Sequence, residues 1–182
     1  MRIISGSFRG KKINAPSNLP VRPTTDFSKE ALFNVLNNHY DFDSISVLDL
    51  FSGIGSISLE FASRGSSRIV SVDIDPGCVR FLSDTVKKMN LENIITVIRN
   101  DVFEFLKHQN SGFDVVYADP PYNFEQQEYD QMINLIKENG FLSAEGELIV
   151  EHPKNISFKE HPNLTQTRKY GRVHFSFFEF EA

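Results

Sequence analysis

One cysteine, Cys78, is all the chain has, so no internal disulfide can staple it. A lone thiol in a helix-like segment reads as a small buried apolar group rather than a nucleophile. The five histidines, at positions 39, 108, 152, 161 and 174, fall at no metal-ligand spacing, and no metal site is expected. No apolar run approaches bilayer-spanning length, and Met1-Arg2-Ile3-Ile4-Ser5-Gly6 has no signal-peptide apolar region, so the expected compartment is the cytoplasm. Internal repeats and low-complexity segments are absent too. The most useful absence is that of acids from residues 1–25, in a chain whose net charge is −5. Arg2, Arg9, Lys11, Lys12 and Arg22 lie in that segment, leaving 14 basic against 24 acidic residues in the remainder. Such asymmetry points to a basic arm that contacts phosphates; an ordinary solvated hairpin is the alternative.

What the chain does have is enough to build a core. Its 182 residues, 40% hydrophobic and 24% charged, fit one soluble globular domain. Arg2 to Ile4 and Lys11 to Asn14 flank a glycine-bounded tip and predict a small β-hairpin. Ala15 to Pro20 is a turn-rich connector. A helix is expected to begin near Asp26, with Phe27, Ala31, Leu32, Val35 and Leu36 along its apolar face. Strands follow near 45–50, 68–73, 94–98, 113–118 and 147–151, and helices near 54–64, 76–89, 102–109 and 127–139. Strand-helix alternation predicts a parallel sheet covered on both faces. Leu164 to Tyr170 and Val173 to Phe180 predict a terminal antiparallel hairpin, with Phe175, Phe177 and Phe180 in the core. The expected division is a hairpin arm over 1–25 and one α/β domain over 26–182.

Two motifs carry chemistry. Asp119-Pro120-Pro121-Tyr122 follows the strand-like run Phe113 to Ala118. Its prolines lock φ and remove backbone donors, so carbonyls there must find partners elsewhere. With the Asp119 carboxyl and the flat Tyr122 ring, they make an acceptor-rich pocket suited to a planar ring bearing an NH2 group. An isolated match can also be a plain turn. The second motif, Val47 to Ser56, reads as a buried strand entering a glycine turn, with Ile57, Phe61 and Ala62 on the helix that follows. Gly53 and Gly55 allow close backbone approach to a ligand. Asp73, twenty residues after Gly53 and at the end of the next strand, is placed to accept from ribose hydroxyls. Ser58 stands where a dinucleotide fingerprint needs its third glycine, which argues against a nicotinamide site.

Asp119 to Tyr122 resembles the motif of amino-group methyltransferases acting on nucleobases, and Asp49-Leu50-Phe51-Ser52-Gly53 resembles the S-adenosylmethionine loop of class I methyltransferases. Arg2-Ile3-Ile4-Ser5-Gly6, Arg9-Gly10, Arg22-Pro23-Thr24-Thr25-Asp26 and Glu30-Ala31-Leu32-Phe33-Asn34 are similar to the amino-terminal signature of the bacterial 16S ribosomal RNA guanine-N2 methyltransferase family. Leu48 to Gly53, Arg64-Gly65 and Asp119 to Tyr122 follow in the same order. Phe27 and Lys29 depart from a pattern that tends to arginine, Ile54 from a position usually small, and Asp73 from the usual Glu.

The resemblance implies a Rossmann-like class I fold, with a mostly parallel seven-stranded sheet and a C-terminal antiparallel hairpin. It implies S-adenosylmethionine as cofactor and 16S ribosomal RNA, within a small-subunit particle, as partner. Asp119, Pro120 and Tyr122 would then be catalytic. Asp49, Phe51, Gly53 and Gly55 would surround the methionine and ribose end of the cofactor, Asp73 would hold the ribose, and Ile74, Asp101 and Val102 the adenine; Asp119 would border both ligands. Asp101 also reads as a helix N-cap. Arg2, Arg9, Lys11, Lys12 and Arg22 would contact RNA. A DNA adenine-N6 or cytosine-N4 methyltransferase is the competing enzyme, disfavoured because no segment is long enough for an added target-recognition region. A catalytically silent RNA-binding protein on the same fold is the competing class.

Overall fold

The computed structural model describes residues 1–20, 25–108 and 112–180, so Arg22 lies outside the described residues. Five helices and seven strands alternate: α1 (Asp26–Leu36), β1 (Ser46–Leu50), α2 (Ser56–Arg64), β2 (Arg68–Asp73), α3 (Pro76–Lys88), β3 (Ile95–Arg99), α4 (Val102–Leu106), β4 (Phe113–Ala118), α5 (Gln126–Glu138), β5 (Leu142–Pro153), β6 (Leu164–Tyr170) and β7 (Val173–Glu179). A 3-10 turn, Phe42–Ser44, precedes β1. One sheet holds all seven strands in the order β3-β2-β1-β4-β5-β7-β6. The first five run parallel and β7 pairs antiparallel with both β5 and β6, as expected.

Alternation along the strands explains why two cores form. Val47, Val115 and Tyr117 enter the layer with α1, α2 and α3, and their neighbours Leu48, Val116 and Ala118 enter the layer with α4 and α5. A period of two with both faces apolar requires helices on each side. Most helices begin on a local cap. Thr25 accepts from Ser28 N, Asp75 from Cys78 N ahead of Pro76, and Asp101 from Glu104 N. Glu125 and Glu128 form a reciprocal capping box on α5. Helix α2 differs, because Gly55 is left-handed and caps nothing by side chain. The Asp49 carboxylate of β1 accepts from Ser58 N at 3.0 Å instead, and also from the Ser58 hydroxyl. A strand residue thus supplies the cap that the loop lacks.

Several boundaries differ from the sequence expectation. α2 starts at Ser56 rather than 54, because Ile54 and Gly55 complete the turn. α4 ends at Leu106, short of 109. β5 runs from 142 to 153, longer than expected, because β7 pairs with its second half through Pro153. Phe175 and Phe177 are buried, whereas Phe180 is only half-buried. Cys78 is buried and its thiol is pushed up to about 12, burial being the main cause.

The predicted N-terminal β-hairpin forms one antiparallel bridge, Arg2 to Lys12, rather than two strands. Ile3 and Ile13 nevertheless sit in the core. The turn between them lies along α2, held by Glu60, which is fully buried. Glu60 accepts from Ile4 N at 2.8 Å, Ser5 N at 3.0 Å and Arg64 Nε at 2.9 Å. Lys29, one of the departures from the family pattern, is also buried. Its ammonium lies 3.6 Å from Glu60 and donates to the Arg2 carbonyl at 2.6 Å. Gly6, at φ +82, passes so close that an added Cβ would fall 1.7 Å from the Ser63 carbonyl oxygen.

Candidate active site

The loops after β1, β2, β3 and β4 meet at the carboxyl edge of the sheet, where the strand order reverses between β1 and β4. Ligands of open α/β sheets bind at such switch points. A cavity of about 470 Å³ opens there, lined by Phe51, Ser52 and Gly53, by Asp73 and Ile74, by Asp101 and Val102, and by Asp119 to Tyr122. Pro20 of the connector closes one side. Leu19 packs so near the start of α3 that a Cβ on Gly77 would lie 2.7 Å from its Cδ2.

The glycine loop is built to approach a ligand. Gly53 is left-handed, at φ +51, and so is Phe51, at φ +60, a costly conformation for a bulky residue. The strain is held by Ser52 N bonding to the Val72 carbonyl at 3.0 Å and Gly55 N to the Ser52 carbonyl at 2.8 Å. The Phe51 ring meets Phe124 edge-on at 5.5 Å, and Phe124 stacks on Phe103 at 5.9 Å. Asp73 fixes the loop from the far side. Its Oδ2 accepts from Gly53 N at 2.7 Å and its Oδ1 from Asp75 N at 2.9 Å. Each oxygen keeps a lone pair for a hydroxyl in the cavity.

The residues present fit a nucleoside-bearing cofactor. The Ser52 hydroxyl is buried in the cavity wall without a hydrogen-bond partner among the described residues. Ile74, 59% exposed, and the buried Val102 offer apolar surface for a ring. Asp101 caps α4 through Oδ1 at 3.0 Å from Glu104 N while lining the cavity, so cap and site residue coincide. Asp49 also lines the cavity, but its Oδ2 is committed to Ser58. Burial raises the Asp49 carboxyl to about 7, against the lowering effect of the Ser58 bonds. Gly55 does not line the cavity; a Cβ there would strike Leu82 at 2.3 Å. That glycine serves packing of α2 on α3.

On the opposite wall, Asp119 N bonds to the Leu50 carbonyl at 3.4 Å, joining the Asp-Pro-Pro-Tyr turn to the end of β1. The Asp119 carboxyl is raised well above the usual carboxylate range, first by burial and then by the Glu151 and Asp49 charges. Glu151 of β5 is the group that sequence reasoning missed. It is buried, raised by burial, and accepts from the Tyr117 hydroxyl at 2.5 Å. An acid ending the apolar run Leu148-Ile149-Val150 was its only sequence signal. Asp119, Pro120, Tyr122, Tyr129, Glu151 and Arg172 surround a narrow hollow behind the turn. Tyr122 itself is 61% exposed at the mouth.

Of the expected RNA contacts, Arg9, Lys11 and Lys12 are exposed, and Arg2 pairs with Asp26 at 3.2 Å. None of the four lines the cavity. Among the described residues no acid or histidine cluster could hold a metal, and no helix is long and apolar enough to cross a membrane.

This strand order, glycine loop and Asp-Pro-Pro-Tyr wall define a class I methyltransferase. Residues 1–179 match the model of the family described as Conserved hypothetical protein 95, and the chain belongs to that family. It is 29% identical, over 185 aligned residues, to ribosomal RNA small subunit methyltransferase D of Escherichia coli, spanning 100% of this chain and 91% of that one. The structure of yhhF from Escherichia coli, at 30% identity, superposes with a TM-score of 0.86 over 100% of this chain and 98% of that one. At 17% identity, an RNA methyltransferase from Salinibacter ruber in complex with S-adenosyl-L-homocysteine shares the fold, with a TM-score of 0.69 over 88% of this chain and 94% of that one.

Proposed function

We propose that the chain methylates the exocyclic N2 amine of a guanine in small-subunit ribosomal RNA, with S-adenosylmethionine as donor. One observation carries the reading. A single cavity has a ribose-accepting carboxylate, Asp73, on one wall and the acceptor-rich Asp119-Pro120 turn on the other. The likeness to ribosomal RNA small subunit methyltransferase D of Escherichia coli and the bound S-adenosyl-L-homocysteine of a protein of like fold support it.

When bound, S-adenosylmethionine supplies an electrophilic methyl on a sulfonium sulfur. The protein's task is the nucleophile. A guanine amine is weak because its lone pair is delocalised into the ring. Asp119 and the Pro120 carbonyl accept its two N–H bonds, which favours a pyramidal nitrogen and frees the lone pair for the methyl. The same acceptors stabilise the positive charge that grows on nitrogen, the reverse of an oxyanion hole. As the N–C bond forms, the C–S bond breaks and one amine proton must leave. Burial and the Glu151 and Asp49 charges raise the Asp119 carboxyl well above the usual carboxylate range, which makes it a better acceptor for that proton. Tyr122 stacks on the base, which has to leave any helical stack to reach the turn. Asp73 takes the ribose hydroxyls, Ile74, Asp101 and Val102 the adenine, and the Phe51 to Gly53 backbone the methionine end. Arg2, Arg9, Lys11, Lys12 and Arg22 add attraction for RNA at longer range.

Asp119→Ala is expected to lower methyl transfer by about 10²-fold or more while leaving cofactor affinity within a few fold, the scale of losing one positioned group. The assay is radiolabelled methyl transfer to small-subunit ribosomal RNA from a strain lacking the enzyme, with the product nucleoside identified by mass spectrometry. N2-methylguanosine is the expected product. Methylated adenine or cytosine would replace the base, and turnover unchanged in the variant would remove Asp119 from the chemistry.

A further inference from the structure

The two longest acid-free runs in the sequence are residues 1–25 and the stretch between Glu160 and Glu179. The second contains β6, its turn and nearly all of β7, with Arg168, Lys169 and Arg172 exposed around the turn. Topology decides where this turn stands. β7 runs antiparallel to β5, so Val173 pairs with Pro153 at the carboxyl end of that strand. The turn therefore projects from the same sheet edge as Asp119. Arg172 reaches the hollow that Asp119, Pro120 and Tyr122 line. Among the described residues none of the three cations is in an ion pair; Arg168 Nε donates to Gln166 Oε1 at 2.8 Å.

A second observation lies across from the turn. Phe27, in the first turn of α1, is 68% exposed, and its ring meets Tyr170 edge-on at 6.3 Å. β6 is the edge strand of the sheet, and cations on an edge strand guard against pairing with another sheet. That function accounts for Arg168 and Lys169. It explains neither Arg172, which stands in the turn beyond the strand, nor an exposed phenylalanine packed beside it.

Resting on the proposed methyl transfer to RNA, we propose that the β6–β7 turn and the start of α1 form the face on which the RNA strand flanking the target guanine lies. Arg168, Lys169 and Arg172 contact its phosphates, and Phe27 with Tyr170 offers aromatic surface to an unstacked neighbouring base. Charge complementarity selects the partner, since an acid-free cationic turn in a chain of net charge −5 is matched by a polyanion. Single-stranded RNA is favoured over duplex, because bases of a duplex offer no free face to Phe27.

The test uses the full chain and a short single-stranded RNA containing guanine, with affinity measured against potassium chloride concentration. Arg168→Ala/Lys169→Ala/Arg172→Ala is expected to lower the salt slope by up to about 2, roughly 0.7 for each lost contact. Phe27→Ser is expected to weaken affinity about fivefold or more without changing the slope. Calorimetric affinity for S-adenosyl-L-homocysteine should equal wild type in both, showing an intact fold. Coincident slopes for wild type and the triple variant would overturn the proposal. So would loss of binding to protein-containing small-subunit particles alone, which would make this face a protein contact. The identity of the methylated base is read separately on wild type, so failure of the guanine assignment leaves the slope comparison decisive for the face.

Discussion

The chain begins in a turn closed by a single bridge and ends in a two-stranded hairpin, and the two turns have the same kind of sequence: cations, aromatic residues, a glycine and no acid before Glu179. Their places differ. The N-terminal turn is bound to the flank of α2 by Glu60 and Ser63, and Ser7 N meets the Ser63 carbonyl at 2.7 Å near the helix C-terminus. At 1.5 Å per residue, that is about 10 Å along α2 from the cavity-lining Ser56. The C-terminal turn belongs to the sheet, and sheet register carries it to the narrow hollow lined by Asp119, Pro120 and Tyr122. Position relative to the strand ends, more than composition, separates a turn that packs on a helix flank from one that stands beside the Asp-Pro-Pro-Tyr turn.

The sharpest way to break this contrast is at Glu60. Removing one partner from a buried ion pair leaves uncompensated charge and unmet donors, at a cost of about 3–5 kcal/mol. Glu60→Ala should therefore lower the stability of the whole chain by that amount in urea denaturation, because Lys29, Arg64 and two hairpin amides lose their acceptor together. A loss below about 1 kcal/mol, the net value of a typical hydrogen bond, would mean the N-terminal hairpin is an independent arm after all.

The next test compares the two sets of cations in methyl transfer. At physiological salt, Arg168→Ala/Lys169→Ala/Arg172→Ala should reduce kcat/KM for ribosomal RNA by about tenfold or more. Arg9→Ala/Lys11→Ala/Lys12→Ala should reduce it by about threefold or less, since long-range attraction is screened beyond about 8 Å. Equal losses would erase the distinction between the hairpins.

A smaller effect marks the C-terminal hairpin as the pH-sensitive one. Glu147 of β5 lies directly across from Glu179 of β7, and the Glu147 carboxyl is raised to about 7 by burial first and by the Glu179 charge second. A raised carboxyl contributes stability that is fully present below its unfolded value near 4.5 and is lost as pH rises through about 7. Glu179→Gln should raise stability by about 0.2–1 kcal/mol at pH 8, the range for a like-charged cross-strand pair, and by almost nothing at pH 4. A thermal-melt series in which the gain is the same at both pH values would remove the pair as its cause.

Much of the site was legible before the fold was known. Phe51, Gly53, Asp73, Ile74, Asp101, Val102 and Asp119 to Tyr122 are far apart in sequence yet line one cavity. Each sits at or just after the end of an apolar strand run, and a parallel sheet brings all such ends to one edge. Gly55 lies outside the cavity lining, since a glycine needed for close packing leaves the same trace in sequence as one needed for ligand approach; Leu82, the neighbour it packs against, comes from another helix. Glu151 and Arg172 escaped notice for a related reason. They come from β5 and the β6–β7 turn, whose distance from Asp119 depends on strand order rather than spacing.

Helix α2 shows where the division falls. Its apolar positions Ile57, Phe61 and Ala62 were readable from periodicity, and all three are buried. Glu60 and Ser63 are buried as well, on what periodicity would leave as the polar face. Sequence by itself determined the strand-helix alternation, the two-sided sheet, the glycine loop and the acid-proline turn. These rest on local sterics and on apolar patterning within a few residues. Tertiary structure alone decided that Asp49 caps α2, that Lys29 and Glu60 form a buried pair beneath the N-terminal turn, and that the β6–β7 turn reaches the hollow lined by Asp119. Each depends on groups brought together from distant segments, and a polar side chain's burial is set by what packs over it.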